Sequence, residues 1–169
     1  MVVLDEGLPE FAVAEALLDL KALQEVGVNL VIAVVGEKKG GGAVAERAMD
    51  IEIKFARVET LDEVASVLER GQAAMMNCRA GRVLGEEMSS LGTGVEAAKL
   101  IGLVNGPGVL RDGQPLHAVS CSALADLGEA LEEGEAIEGV GLLEEAAAAC
   151  RAGIPRVHIL DGRRQGVLA

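Results

Sequence analysis

The sequence predicts an α/β fold, a three-layer αβα sandwich with a mainly parallel sheet. Strand-like and helix-like segments alternate from one end of the 169 residues to the other, as they do in chains built from βαβ units. The run "VNLVIAVV" is continuously apolar, as expected for a strand covered on both faces. The length suits one domain and no linker-like stretch divides the chain, so we expect a single domain over residues 1–169.

The composition excludes several classes of partner. Half of the residues are apolar, but only two are Phe and none is Tyr or Trp, so the usual platforms for stacking bases are missing. The net charge of −12 disfavours nucleic acids and anionic membranes. The opening "MVVLDEGLPE" is acidic where a signal peptide is basic, and no stretch is long and apolar enough to span a bilayer. We therefore expect a soluble, cytoplasmic protein.

The cysteines and histidines form neither a metal-binding nor a disulfide pattern. Cys78, Cys121 and Cys150 are widely spaced and odd in number, and no CxxC pair occurs. The two histidines, His117 and His158, lie far apart in the sequence. We therefore expect no metal site and no disulfide framework.

The first half of the chain is predicted to contain three strands, each followed by a helix. "MVVL" is a strand, and the helix after it begins at Pro9 and closes at Gly27. "VNLVIAVV" leads into the glycine-rich loop "GEKKGGG", which we expect to precede a short helix over 43–49. "IEIKF" alternates like a strand. In the helix that follows, Thr60 and Glu63 are placed to form a capping box.

The second half is predicted to end in a buried strand and a turn. "AAMMN" is a candidate strand, "LGTGVEAAKLIGLVNGPGVL" gives a helix, a strand and a turn, and Asp112-Gly113 turns a hairpin. Two helices follow, over about 121–133 and 141–152, and the last strand runs to a turn at Asp161. The parallel central strands are expected near residues 2–4, 28–34, 100–104 and 156–160.

The glycine-rich loop is the first candidate site. A loop between a buried strand and a helix can hold an anion, because backbone N–H groups and the helix dipole both point at it. It is not a P-loop, since Gly42 and Ala43 stand where Lys and Ser or Thr are needed, and a dinucleotide motif fits only loosely. The alternative is a flexible loop whose lysines are simply solvated. In the anion-binding interpretation, phosphate or substrate contacts Gly36, Gly40, Gly41 and Gly42, which face a glycine turn at Gly139 and Gly141 across the carboxyl edge of the sheet.

Other polar residues are weaker candidates. Arg57 precedes a capped helix and is suited to bidentate binding of a carboxylate, although such arginines are more often surface residues. His158 lies inside an apolar strand with no titrating neighbour in sequence, and we interpret it as a core or rim histidine. Ser120 and Ser122 are interpreted as helix caps. Periodicity and motifs alone therefore predict an anion-binding α/β domain and nothing more specific.

Two longer stretches carry a family resemblance. "KLIGLVNGPGVLRDGQPLHAVSCSAL" and "EEGEAIEGVGLLEEAAAACRAGIPRVHILDGR" give in order a strand into "PGVL", a hairpin, a helix, a glycine turn, a second helix and the strand "RVHILDGR". In this order they resemble the C-terminal half of acetylglutamate kinases, in the amino-acid kinase family, and the N-terminal half follows the family more loosely. The resemblance implies an amino-acid-kinase-like fold. It also implies transfer of the ATP γ-phosphate, with Mg²⁺, to the carboxylate of N-acetylglutamate in arginine synthesis.

The sequence departs from this family where its functional lysines belong. Leu4, Asp5 and Glu6 cover the region of the first lysine, and Glu144 falls on the second. A carboxylate beside a triphosphate repels it, so these departures imply impaired catalysis. The nucleotide-contacting aspartate of the family appears here as Asn105.

The resemblance assigns further roles and a size. With Asn105, the glycines Gly139 and Gly141 are expected to contact a nucleotide. The chain is shorter than the family, without its usual insert between Arg70 and Leu91 or its last strand beyond Ala169, so we expect a truncated version of the fold.

Two functions from different classes follow. In the first, the chain is an impaired acetylglutamate-kinase-like module that binds a ligand or regulates another protein. In the second, it is an active kinase whose lysine role is taken by Lys38, Lys39 or a partner chain. The missing lysines favour the first. The expected partners are a small anionic metabolite or nucleotide, and a second copy of the chain or an enzyme of arginine synthesis.

Overall fold

A seven-stranded sheet forms the centre of the protein. In this computed structural model the described residues are 1–5, 7–36, 38–78, 83–116, 119–124 and 136–168, with the backbone alone described at 38–41 and 119–120. The strands are β1 (Val2–Asp5), β2 (Val31–Val35), β3 (Phe55–Arg57), β4 (Ala73–Cys78), β5 (Leu100–Val104), β6 (Leu110–Arg111), β7 (Gln114–Pro115), β8 (Val119–Ser120), β9 (Ile137–Glu138) and β10 (Arg156–Asp161). The helices are α1 (Glu10–Glu25), α2 (Lys38–Asp50), α3 (Leu61–Glu69), α4 (Glu86–Gly94) and α5 (Val140–Arg151).

The large sheet is parallel except at one edge. Its strand order is β3-β4-β2-β1-β5-β10-β8, and only the short edge strand β8 is antiparallel to its neighbour. In the centre, Val3 of β1 lies opposite Ala33 of β2 and Gly102 of β5. The four central strands are those that the sequence predicts as parallel and central, so that prediction is confirmed.

Helices cover both faces of this sheet, which confirms the αβα sandwich. Val3 points into a core with buried residues of α4 and α5, among them Met88 and Ala146. Val2 and Leu4 point to the other face, where they pack with residues of α1 and α2. A smaller cluster holds α3 against β2 and β4. Because successive side chains of a strand alternate between faces and both faces are buried, β2 is apolar throughout and β1 is apolar as far as Leu4.

The first helices begin and end largely where the sequence indicates. Pro9 is the N-cap of α1, and Gly27, just past its end, has a φ of 85°, a conformation that glycine adopts without strain. The capping box of α3 is present, with the backbone N–H groups of Glu59 and Thr60 donating to Glu63 Oε2 at 2.7 and 3.3 Å. These local signals are reliable because they satisfy backbone groups that the helix itself leaves unpaired.

Two boundaries in the first half differ from the prediction. The glycine-rich stretch is mostly helical, because α2 begins at Lys38 and not at Ala43. Glycine disfavours a helix by about 1 kcal/mol per residue relative to alanine, but Val44 and Ala48, further along, are buried against the sheet and anchor the helix. The predicted strand "IEIKF" shortens to Phe55–Arg57, since the residues before Phe55 form the turn that leaves α2.

The hairpin at Asp112-Gly113 is confirmed. Both residues have positive φ, 51° and 72°, as a two-residue hairpin turn requires. The third strand of this small sheet, β9, was not predicted; it pairs antiparallel with β6. Of the predicted helix over 121–133, residues 125–133 lie outside the described residues, whereas the helix predicted over 141–152 is α5.

The expectation of no disulfide is wrong. Cys121 and Cys150 are joined, with Cα atoms 5.5 Å apart. They lie 29 residues apart in the sequence, but β8 pairs beside β10 and so brings Cys121 alongside the last turn of α5. Spacing in a sequence does not reveal such proximity. Cys78 is buried and free.

Candidate functional site

The carboxyl ends of six strands meet at one edge of the sheet. Because all six are parallel, the residues that end them lie along one side, where open α/β sheets bind ligands. One half of this edge is formed by the ends of β1, β5 and β10, which are neighbours in the sheet.

A crevice of about 450 Å³ opens at this edge. We call it the β1–β5 crevice because it is lined by Asp5, which ends β1, and by Asn105, which directly follows β5. The start of α5 forms the opposite wall. The full lining is Asp5, Val83, Val104, Asn105, Gly106, Pro107, Gly108, Gly139, Gly141, Leu142 and Glu145.

A turn after β1 positions the polar groups of one wall. The backbone N–H of Gly7 donates to Asp5 Oδ1 at 2.8 Å, which fixes the carboxylate against the chain. A Cβ atom on Gly7 would lie 3.2 Å from Asp5 Oδ1 and 3.3 Å from Asn105 Nδ2. The carboxylate and the amide therefore lie close together around a glycine that leaves room for both.

The start of α5 provides the opposite electrostatic character. Gly139 is its N-cap, in the left-handed region with φ 79°, and its carbonyl accepts from the N–H groups of Leu142 and Leu143. The first N–H groups of a helix have no acceptor within the helix and carry the positive end of its dipole. The wall formed by the start of α5 therefore suits an anion. Asp5 and Glu145 add negative charge to the same lining.

The structure brings some of the predicted site residues together and separates others. Asn105, Gly139 and Gly141 all line the β1–β5 crevice. Gly36 directly follows β2, the neighbour of β1 on the side away from β5, so the two predicted glycine segments lie at the same edge of the sheet. Lys38 and the residues Lys39, Gly40, Gly41 and Gly42 lie within the first turns of α2.

Arg57 does not join them. It ends β3, the outermost strand on that side, with β4 and β2 between it and β1. Its side chain is exposed, and it is not among the residues that line the β1–β5 crevice. The carboxylate-binding role of Arg57 therefore remains a prediction without support from its position.

The two positions aligned with family lysines do not face the crevice. Leu4 is fully buried in the core between the sheet and α1, and Asp5 is the residue of β1 that reaches the edge. Glu144 is exposed, and the acid of α5 that lines the crevice is Glu145. Glu6 lies outside the described residues. No Lys or Arg is among the described residues that line the crevice.

Sequence reasoning missed Glu145 and the turn 106–108. A signal for Glu145 was present, because Gly141 and Glu145 are four residues apart and so share one face of a helix. For Gly108 the signal was the stretch "NGPGVL", whose glycines follow a buried strand at its carboxyl end.

The signature "RVHILDGR" is the last parallel strand and its turn. Arg163 donates from Nε and Nη2 to the two oxygens of Asp161, both at 2.8 Å. These hydrogen bonds hold the pKa of Asp161 below its usual value. A Cβ on Gly162 would lie 2.6 Å from Leu8 Cδ2 and 3.2 Å from Leu103 Cβ. The absence of a side chain at Gly162 therefore allows Leu8, between β1 and α1, to pack closely against this turn.

His158 sits in the middle of this strand, opposite Ile101 of β5. It is half-buried. Burial lowers its pKa, and repulsion from Lys99 and Arg156 lowers it further. It does not line the β1–β5 crevice, in agreement with its interpretation as a rim histidine.

Two carboxylates of the crevice, those of Asp5 and Glu145, are of the kind that ligates magnesium. Within the described ranges, no three His, Cys, Asp or Glu residues are grouped so as to hold a metal by themselves. Mg²⁺ keeps several waters and takes one or two carboxylates together with phosphate oxygens. Asp5 and Glu145 are the residues that would supply such carboxylates, and the start of α5 would meet the phosphates.

Comparison with known proteins identifies the fold. The chain is similar to the crystal structure of N-acetylglutamate synthase from Neisseria gonorrhoeae, complexed with coenzyme A and N-acetylglutamate, with a TM-score of 0.75 and 16% sequence identity. The fold is amino-acid-kinase-like. The match covers 98% of this chain and 54% of the synthase chain, so the chain spans about half the length of that protein.

The other comparisons give no match. No family model and no curated protein matches the sequence. Among the described residues, no helix has the length and apolar character needed to cross a membrane. At 16% identity the likeness to the synthase shows the fold and leaves activity and ligand to be argued from the site.

Proposed function

We propose that this chain is an amino-acid-kinase-like ligand-binding or regulatory module of arginine biosynthesis. Its ligand is a small anionic metabolite or a nucleotide, bound in the β1–β5 crevice. The crevice lies outside the carboxyl ends of adjacent parallel strands, where folds of this kind bind their ligands. Gly36 and the first turn of α2 lie at the same edge, one strand away, and extend the site toward the phosphates of a larger ligand.

One observation carries the proposal. The start of α5, with Gly139 and Gly141, lines the same crevice as Asp5, Asn105 and Glu145. Glycines allow phosphate oxygens to approach backbone N–H groups closely, and a Mg²⁺ ion between phosphates and carboxylates removes the repulsion that Asp5 and Glu145 would otherwise exert. ATP with Mg²⁺ is therefore the ligand that this set of groups suits best.

The link with arginine biosynthesis has two supports. The stretch from Lys99 to Arg163 resembles acetylglutamate kinases in the order of its elements. The fold is similar to that of an N-acetylglutamate synthase over 98% of the chain. Acetylglutamate kinases phosphorylate N-acetylglutamate, and the synthase structure is complexed with it. This metabolite is therefore a second ligand to test.

The charge of the crevice lining favours a binding role over catalysis. Phosphoryl transfer needs cations placed where charge develops on the moving phosphoryl group. The described lining of the crevice has two carboxylates and no basic side chain. An enzyme with this lining would lack the stabilisation that a well-placed charge donor supplies, typically about two to three orders of magnitude in rate.

Active kinase function is the second candidate, and the position of α2 favours it. Lys38 and Lys39 begin that helix, next to the end of β2 and at the same edge of the sheet as the crevice. In this alternative their side chains, or those of a partner chain, supply the missing positive charge. Formation of an acyl phosphate from ATP and N-acetylglutamate would distinguish it from the binding role.

Calorimetric titration with ATP and Mg²⁺, N-acetylglutamate, arginine and coenzyme A in turn tests the proposal. We expect saturable binding of ATP with Mg²⁺ or of N-acetylglutamate, without turnover. Absence of binding by all four ligands would contradict it. The second copy or partner enzyme expected from the sequence stays a prediction, which sedimentation equilibrium of the 17.4 kDa chain checks independently.

A further inference from the structure

One side of α1 presents a line of apolar side chains to solvent. Phe11 is 55% exposed, Leu18 is 48% exposed and Val26, just past the end of the helix, is 78% exposed. Ala22, between the last two, is exposed as well. Spacings of seven and four residues place these four side chains along one side of the helix, and we call them the α1 stripe. Single exposed apolar residues are normal, whereas a continuous line of them is typical of an interaction surface.

Negative charge borders the α1 stripe. At about 3.6 residues per turn, Glu15 lies to one side of the line and Glu25 to the other. Among the described residues, no Lys or Arg forms an ion pair with either carboxylate. Lys21 is the one basic residue of α1, and its Nζ already lies 3.6 Å from Glu52 Oε2.

Further acids lie beside the N-terminal end of the stripe. Glu10, the residue before Phe11, lines a cavity of about 380 Å³ between α1 and α2 together with Glu46 and Asp50. Arg47 is the only basic residue among the described residues that line this cavity. Its Nη2 lies 3.2 Å from Glu10 Oε1, and its Nη1 lies 4.0 Å from Asp50 Oδ2. The surroundings of the stripe therefore remain acidic even where a cation is present.

This charge decides which occupant fits the stripe. In a two-fold pair of copies the same surface meets itself, so the carboxylates of one stripe would face those of the other. An anionic membrane would be repelled by the same carboxylates. A helix with Lys or Arg beside its own apolar side has the complementary pattern, because its cations would meet Glu15 and Glu25.

We propose that the α1 stripe is the docking surface for a basic amphipathic helix of a partner protein. From Phe11 to Val26 the stripe extends about 22 Å, at about 1.5 Å per residue, so it matches a partner helix of about four turns. Phe11 is the aromatic side chain of the stripe and is expected to contribute most to affinity. None of the four residues lines the β1–β5 crevice, so the proposal does not depend on the ligand of that crevice.

The test measures the binding of three fluorescein-labelled peptides of about 16 residues by fluorescence anisotropy. The first has leucines on one side of a helix and lysines on the other. The second has the same composition in scrambled order, and the third has glutamate in place of every lysine. We expect saturable binding of the first peptide and at least about tenfold weaker binding of the other two. The affinity for the first should fall as salt rises, because salt screens the charges.

Phe11→Gln, Leu18→Gln should weaken binding of the first peptide at least about tenfold, because it removes the large side chains of the stripe from the contact. Leu61→Gln is the matched control and should leave the affinity unchanged. Leu61 is 44% exposed and lies on α3, which packs on the opposite face of the sheet from α1. Glu15→Gln, Glu25→Gln should weaken binding at low salt and reduce its dependence on salt. Circular dichroism checks that each variant is folded.

Four results would overturn the proposal. The first peptide could fail to bind, or the scrambled peptide could bind as tightly as the first. The folded Phe11→Gln, Leu18→Gln variant could keep the affinity of wild type. Finally, sedimentation equilibrium could show a dimer of the chain that dissociates in this variant, which would assign the stripe to a second copy.

Discussion

The backbone oxygen of Gly108 lies 2.7 Å from the position that a Cβ atom would take on Gly139. The turn after β5 and the start of α5 are thus in direct backbone contact, and both glycines line the crevice. Gly139 also has a φ of 79°, which L-residues with a Cβ rarely adopt. Gly141, two residues further, has nothing within 4 Å of its own Cβ position.

The first prediction compares these two glycines. Gly139→Ala should lower the free energy of unfolding by about 2 kcal/mol or more, because left-handed strain adds to a clash with backbone. Gly141→Ala should leave stability unchanged or raise it by up to about 1 kcal/mol, since alanine favours a helix. Urea unfolding of the two variants measures both effects, and equal destabilisation would contradict the described start of α5.

The second prediction concerns the turn after β10. Gly162→Ala should destabilise the protein by about 1–3 kcal/mol, because its Cβ overpacks Leu8 and Leu103. Leu8→Ala, which creates a cavity, should cost about 2–5 kcal/mol alone. The double variant should be destabilised by less than the sum of the two single costs, since the new Cβ occupies space that Leu8 vacates. Additive unfolding free energies would refute the contact.

The third prediction concerns pH. The pKa of His158 is lowered in the folded state, so the unfolded chain takes up a proton first as pH falls. The contribution of neutral His158 to the free energy of unfolding should therefore be fully present above the ordinary pKa of 6.5. It should be lost as pH falls through 6.5 toward the lower folded pKa. The unfolding free energy of wild type minus that of His158→Gln, measured from about pH 8 to about pH 5, should decline with pH. A difference that does not change with pH would show that folding does not lower the pKa of His158.

The sequence was a good guide where one local rule decides the structure. The apolar runs that became β2 and β10, the capping box at Thr60 and the Asp112-Gly113 hairpin each depend on neighbouring residues. The predicted start of α2 was wrong because burial of Val44 and Ala48 further along the helix outweighs the low helix propensity of the glycines.

Tertiary features were out of reach for a different reason. The disulfide depends on β8 pairing with β10 and so on contacts between distant segments. Part of the crevice lining was predictable, because residues such as Asn105 and Gly139 follow strands or start helices and meet by topology. The orientation of Glu145 toward the crevice, with Glu144 outward, is set by how α5 rotates on the sheet, and a single sequence does not fix that rotation.

The fourth prediction concerns catalysis. With ATP, Mg²⁺ and N-acetylglutamate, the chain should form no acyl phosphate that hydroxylamine traps, because the crevice has no basic side chain among its described lining residues and loss of one charge donor alone costs about two to three orders of magnitude. An active acetylglutamate kinase serves as the positive control. Robust hydroxamate formation that disappears in Lys38→Ala, Lys39→Ala would assign the chain to the kinases.

The most direct test of the binding role is calorimetric titration of wild type and Gly141→Val with ATP and Mg²⁺. The valine side chain enters open space at the start of α5, so it should obstruct the crevice without lowering the melting temperature. Ala22→Val, on the exposed face of α1, adds the same side chain elsewhere and is the control. The account predicts saturable heat for wild type and Ala22→Val, and affinity at least about tenfold weaker for Gly141→Val, a difference of about 1.4 kcal/mol. Equal affinity in all three proteins would place the ligand outside the crevice and contradict the account.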